Sequence, residues 1–212
     1  MAGKLMPAWD GRLSKEEIEQ LAELITSQPA RPVKWDMADI KNSLQVYVKD
    51  EQNLPGKPSY KIRNMDDLMA VMGRGHFSDG ENAKVIFFNG DNHDIVGEIE
   101  VDRAPHIIDF HPLNKRWAYV KTDGGRIYKV DLYTMQATRS VQVGFTGPSL
   151  AVSFNGKYIA AGSFVPNTTV ILDAETLEPV KFFNLKGVDL DGKMVEADSS
   201  RSTGRHLLSQ PS

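Results

Sequence analysis

Three polar residues, Asn89, Asp131 and Asp173, stand 42 residues apart, and each closes an apolar run: VIFF, IYKV and TVIL. Twelve residues after each comes another apolar position, Val101, Val143 and Leu185. A looser echo links RWAYVKT, from Arg116, to KYIAAGS, from Lys157. Self-similarity at a period of about 40–45 residues, with several short strands in each unit, is the pattern of β-propeller blades. A β-sandwich whose strand spacing happens to match is the alternative.

The strands are expected at Leu68–Met72, Val85–Phe88, Ile95–Val101, Ile107–Phe110, Trp117–Lys121, Arg126–Asp131, Thr138–Val143, Leu150–Phe154, Tyr158–Gly162, Val170–Asp173 and Val180–Asn184. Between them lie NGD, TDGG, NGK and AETLEP, all turn chemistry. The fold class is therefore mainly β: a partial β-propeller of two to three four-stranded blades over residues 65–198. A propeller ring usually needs four or more blades, and an open arc exposes strand edges. The chain thus reads as part of something longer. Residues 199–212 are polar, do not continue the repeat and are expected to be a disordered tail.

Ahead of the repeat, Ser14-Lys15-Glu16-Glu17 forms a capping box, and Ile18, Leu21, Ala22 and Ile25 follow at helical spacing. The helix should stop near Gln28, because Pro29 and Pro32 disfavour continuation. Residues 1–28 form one segment. Residues 29–64, punctuated by Pro29, Pro32, Pro55 and Pro58, read as a linker with a short helix or strand around Ile40 to Val48.

The chain has no cysteine, which excludes disulfides, thiolate zinc sites and covalent c-type haem attachment within it. A net charge of −3 with scattered Lys and Arg argues against nucleic acid as a partner. No apolar run approaches the ~18 residues a membrane span needs, and no signal peptide is visible.

Of the five histidines, His76 and His93 fall in turn-like segments, His206 in the tail, and His111 in a strand-ending turn before Pro112. His106 differs. It follows Asp102-Arg103-Ala104-Pro105 and opens the strand HIIDF, the inner strand of a blade. A residue there faces the mouth of the ring. One period later stand Pro148 and Ser149, so the imidazole breaks the repeat, which suggests a metal or haem ligand. Met6, in KLMPAW, carries a thioether suited to haem iron, or is an apolar anchor. Arg74 follows an apolar strand, where it meets a carboxylate or a cofactor propionate, or lies on the surface. Glu196 and Asp198 read as a solvated acidic stretch. Gly73, Gly75 and Gly80 do not make a phosphate loop.

The segment MPAWDGRLSKEEIEQLAELI resembles the end of the cytochrome c domain in cytochrome cd1 nitrite reductases. The strand ending in Arg74, the stretch APHIIDFHP, and IAAGSFVPNTTVILDAETLEP resemble the start of that family's haem d1 propeller. The resemblance covers roughly residues 3 to 200. It implies that residues 1–28 are a remnant of the cytochrome c domain and 65–198 part of the d1 propeller. Met6 then matches the axial ligand of haem c iron, His106 the proximal ligand of haem d1 iron, and Arg74 an Arg near the d1 carboxylates. The chain departs from the family pattern at Thr122-Asp123-Gly124 and Pro148-Ser149, where Arg is expected, and at Phe164, where Tyr is expected. It also lacks the CxxCH of haem c.

What the resemblance implies is a periplasmic, haem-binding electron-transfer oxidoreductase of denitrification. The full-length parent reduces nitrite to nitric oxide, takes electrons from a cytochrome or cupredoxin, and is a homodimer. Its catalytic residues are not identified in this chain, and this piece alone is expected to be inactive. The alternatives are a haem d1 biosynthesis protein or dehydrogenase of the same architecture, and a non-enzymatic propeller serving as an interaction module.

Overall fold

A computed structural model describes residues 12–26, 33–75, 81–147, 149–184, 186–188 and 194–196. The chain divides into two compact units, residues 1–33 and 34–212. In the first, α1 spans Lys15–Thr26. Its capping box is formed: the Glu17 amide donates to Ser14 Oγ at 3.2 Å and the Ser14 amide to Glu17 Oε2 at 2.7 Å. Ile18 and Leu21 of the apolar stripe are exposed, by 40% and 44%. The expected stop near Gln28 lies outside the described residues.

The second unit begins with α2 (Met37–Asn42) and β1 (Gln45–Val46), then builds three antiparallel sheets. The first holds β2 (Leu68–Gly73), β3 (Lys84–Asn89) and β4 (Ile95–Glu100). In the second, β5 (Pro105–Phe110), β6 (Trp117–Thr122), β7 (Arg126–Asp131) and β8 (Gln136–Gln142) pair in order, with β1 on the outside of β8. The third holds β9 (Leu150–Val152), β10 (Tyr158–Phe164), β11 (Asn167–Asp173) and β12 (Pro179–Asn184). A hairpin of β13 (Lys186–Val188) and β14 (Met194–Glu196) follows; the sequence pattern did not foresee it. Strands β2 and β5, and β5 and β9, are neighbours, so the sheets radiate from a common line.

The 42-residue echo has a physical origin. Asn89, Asp131 and Asp173 end β3, β7 and β11. Each side-chain oxygen accepts the backbone N–H two residues on, from Asp91, Tyr133 and Glu175, at 3.0–3.1 Å. These are Asx turns, which need a short side chain with an acceptor at that point. A register shift recurs just before each of them, at Phe87/Phe88, Lys129/Val130 and Ile171/Leu172. The repeat therefore includes a β-bulge, which raises the twist of each blade.

Two expectations need correction. The first blade is not four-stranded: by the repeat β2 is equivalent to β6 and β10, so a counterpart of β5 is missing from that sheet among the described residues. The stretch before β2 is a 3-10 turn, Met65–Asp67, and Tyr60, Ile62 and Met65 pack on the core instead. Nor do residues 34–64 stand apart as a linker, since they cluster with the sheets. Both a helix and a strand form in that segment. Ile40 is fully buried, Trp35 Nε1 donates to the Gln142 carbonyl at 3.1 Å, and Ser43 Oγ accepts from the Gln142 amide at 2.9 Å.

The middle sheet is buried on both faces. Ala118, Val120, Tyr128 and Val130 pack toward the first sheet with Val85 and Phe87, while Tyr119 and Ile127 pack toward the third with Leu150, Ile159 and Val170. Alternation along β6 and β7 sends Lys121 and Lys129 to that second face. Each is paired there, as burial of an ammonium group demands. Lys129 Nζ donates to Glu51 Oε2 at 2.6 Å and to the Glu175 carbonyl at 2.8 Å. Lys121 Nζ donates to the Gly162 carbonyl at 2.9 Å and to the Gly147 carbonyl. The two amines stitch neighbouring blades together at opposite ends of the strands.

Candidate tetrapyrrole-binding cleft

At the end of the sheets where β5 begins lies a cleft of about 390 Å³. The loop before β5 supplies Arg103 and Ala104, the β6–β7 turn Asp123, the loop before β9 Phe145, Thr146 and Gly147, and β10 Phe164. His106 lines it as well. In the pairing of β5 with β6, Pro105 faces Thr122 and Ile107 faces Lys121. His106 is thus the extra residue of a bulge, a device that re-aims a side chain. The imidazole is exposed and makes no hydrogen bond or ion pair among the described residues, so a ring nitrogen is available to a ligand.

The wall opposite is held tightly. The Phe164 amide donates to the Thr146 carbonyl at 2.9 Å, the Phe145 amide to the Val165 carbonyl at 2.8 Å, and the Asp123 amide to the Ala104 carbonyl at 2.9 Å. Ser163 Oγ also donates to the Thr146 carbonyl, at 2.8 Å. Gly147 adopts φ +116°, and a Cβ there would stand 3.1 Å from the Phe164 nitrogen. Only glycine lets this loop lie so close to β10. Behind the wall sits Lys121, 0% exposed. Burial pulls its pKa down to about 7, with Asp123 pushing the other way.

Arg74, just beyond β2, forms an ion pair with Asp123 Oδ2, so the Arg singled out in the sequence stands one carboxylate away from the cleft. Arg103 is the cleft residue that sequence reasoning missed. The available signal was a cation three residues ahead of His106 in a loop crossing toward the ring axis.

The other described histidines do not join this site. His93 lies exposed in a turn at φ +64°. His111 Nδ1 accepts the amides of Leu113 and Asn114, at 3.1 and 2.9 Å, and so shapes a turn. It borders a larger cavity, about 620 Å³, at the opposite end of the strands. Of the charged groups there, Lys129 is bound to Glu51 and lies over the ring of Trp117, and Glu51 also accepts from Arg139. Met6, His76, Pro148, Asp198 and His206 lie outside the described residues, and nothing is described of the Glu196 side chain.

Among the described residues no cluster of three or more His, Asp or Glu side chains could hold a metal ion. A lone imidazole suits an iron that brings its other ligands in a macrocycle. At about 390 Å³ the cleft is at the low end for small-molecule pockets. Its lining suits one edge of such a macrocycle: Phe145 and Phe164 are apolar surface, Arg103 a cation and His106 an exposed imidazole.

Fold and cleft together define a β-propeller domain whose inner strands carry, at one end, a cleft lined by an exposed imidazole. The chain belongs to the Cytochrome D1 heme domain family, which matches residues 63–204. It is 29% identical over 194 residues to a nitrite reductase of Stutzerimonas stutzeri, covering 89% of this chain and 33% of that protein. It is 24% identical over 176 residues to a dihydro-heme d1 dehydrogenase of Pseudomonas aeruginosa, covering 83% and 34%. The chain spans about a third of the length of these curated relatives. A solved dihydro-heme d1 dehydrogenase, NirN in complex with DHE, superposes with a TM-score of 0.68 at 23% identity. The match covers 94% of this chain and 41% of that one, and it shows the shared propeller fold.

Proposed function

We propose that this chain is part of a haem d1-type oxidoreductase and that His106 is the proximal ligand of the macrocycle's iron. The observation that carries this is an imidazole on a β-bulge, without a hydrogen-bond or ion-pair partner among the described residues, at the mouth of a cleft in a d1-family propeller. When bound, the haem supplies the redox chemistry, and the protein supplies orientation and electrostatics. His106 would hold the iron from one side, Phe145 and Phe164 would cover part of the ring plane and exclude water, and Arg103 would meet a carboxylate.

In the full-length parent the first reading is reduction of nitrite to nitric oxide: nitrite takes up one electron and two protons and leaves as nitric oxide and water. Electrons would arrive from haem c, with Met6 as its axial ligand and residues 1–28 as the last part of the cytochrome c domain. The electron donor is then a cytochrome or cupredoxin, the protein periplasmic and the assembly a homodimer. No described helix is long and apolar enough to cross a membrane.

The second reading is oxidation of a dihydro-haem d1 precursor, as the name of one relative suggests. Asp123 and Phe164 favour it. Both are departures from the nitrite reductase pattern, and both line the cleft with His106.

The test is an assay of the full-length gene product. Loaded with haem d1 and a reductant, it should release nitric oxide from nitrite under the first reading. Under the second, given dihydro-haem d1 and an electron acceptor in place of the reductant, it should pass two electrons to the acceptor, release two protons and form haem d1, while leaving nitrite untouched. Failure to bind either macrocycle would refute the haem reading itself.

A further inference from the structure

We infer that Arg103 is the residue that anchors a ligand carboxylate in this cleft, and that Asp123 sets ligand selectivity by withholding Arg74 from that task. This rests on the haem reading above and deepens it.

Charges at this end of the blades pair off in a definite way. Arg74 is bound to Asp123, and Arg126 Nε stands 3.6 Å from Asp102 Oδ2. Arg103 lines the cleft and has no ion pair among the described residues. Its position is fixed by its stem. Gly124 has no side chain, and an ideal Cβ there would stand 3.5 Å from Arg103 Cβ and 3.6 Å from Cδ. The aliphatic part of Arg103 thus lies over the β6–β7 turn, which leaves the guanidinium to seek an anion.

Asp123 belongs to the same turn and the same cleft. An anion at that edge meets a carboxylate in front and an arginine already neutralised. A macrocycle carboxylate is therefore bound on the Arg103 side and repelled at the Asp123 edge, so the cleft selects an iron tetrapyrrole by where its carboxylates sit.

The experiment titrates the full chain, and four variants, with iron(III) mesoporphyrin (two carboxylates) and iron(III) coproporphyrin (four), read by absorbance. Arg103→Gln should weaken binding of both probes about threefold to tenfold, while Arg103→Lys keeps most of the affinity. Arg74→Gln, which leaves the Asp123 carboxylate unpaired, should weaken coproporphyrin and leave mesoporphyrin within twofold. Asp123→Asn should tighten coproporphyrin more than mesoporphyrin, and the gain should vanish in Asp123→Asn/Arg74→Gln. Equal losses from Arg74→Gln and Arg103→Gln, or an Asp123→Asn variant with unchanged selectivity, would overturn the assignment while leaving the haem reading intact. No binding of either probe by the unaltered chain would instead remove the haem reading, and this proposal with it.

Discussion

Single side chains give the first tests. Asp131 is fully buried and bidentate to Arg116, at 2.8 and 3.0 Å, besides capping its turn. Asp131→Ala leaves a largely buried guanidinium unpaired and should cost about 3–5 kcal/mol. Asn89→Ala removes one Asx bond and should cost about 1 kcal/mol. Urea melts of the two variants read the difference. Lys121 makes a pH prediction. Its amine titrates near pH 7 in the fold but at 10.5 when unperturbed. Across that window the unfolded chain holds more protons, so stability rises with pH. Lys121→Met should be the more stable protein at pH 6 and should flatten the slope between pH 7 and 9; an identical slope in melts of both proteins would contradict this. The Asx positions were legible because a turn selects a side chain by its own local chemistry. The pairing of Arg74 with Asp123 was not, because 49 positions separate them and only the packing of two turns brings them together. Lys121 lay in an apolar strand, but nothing in RWAYVKT shows which carbonyls would accept its hydrogen bonds.

At the scale of elements, every blade strand was legible, with ends displaced by up to three residues, as where β11 begins at Asn167 rather than Val170, since alternation and turn residues are dense there. The bulges were invisible, because an extra residue leaves the composition of a strand unchanged. Segment 34–64 was misread as a connector for a related reason. Its prolines mark real breaks, but its anchors are few and scattered: Trp35, Ile40 and the Glu51 carboxylate. Glu51 accepts from Lys129 and Arg139 at 2.6 and 3.2 Å, and these bonds hold its pKa below the usual carboxylate range although burial acts in the other direction. If this segment clamps the second blade to the third, Ile40→Ala should cost about 2–5 kcal/mol. Hydrogen exchange should then speed up in β8 and β12, the strands packed on α2. Exchange confined to α2 itself would show that the clamp is not coupled to the blades.

For the molecule as a whole, the blades place inner strands side by side, and a break in the repeat puts an imidazole where those strands open. Family and architecture were both readable from the 42-residue period and a few motifs. The balance of charge in the cleft was readable only in three dimensions. The central claim is that His106 binds the macrocycle iron directly, and ligand rescue tests it most directly. His106→Gly, loaded with haem d1 in the full-length protein, should show an iron spectrum unlike that of the unaltered protein, and free imidazole should restore it. A His106→Gly protein with the unaltered spectrum before imidazole is added would mean that the iron is held by another residue.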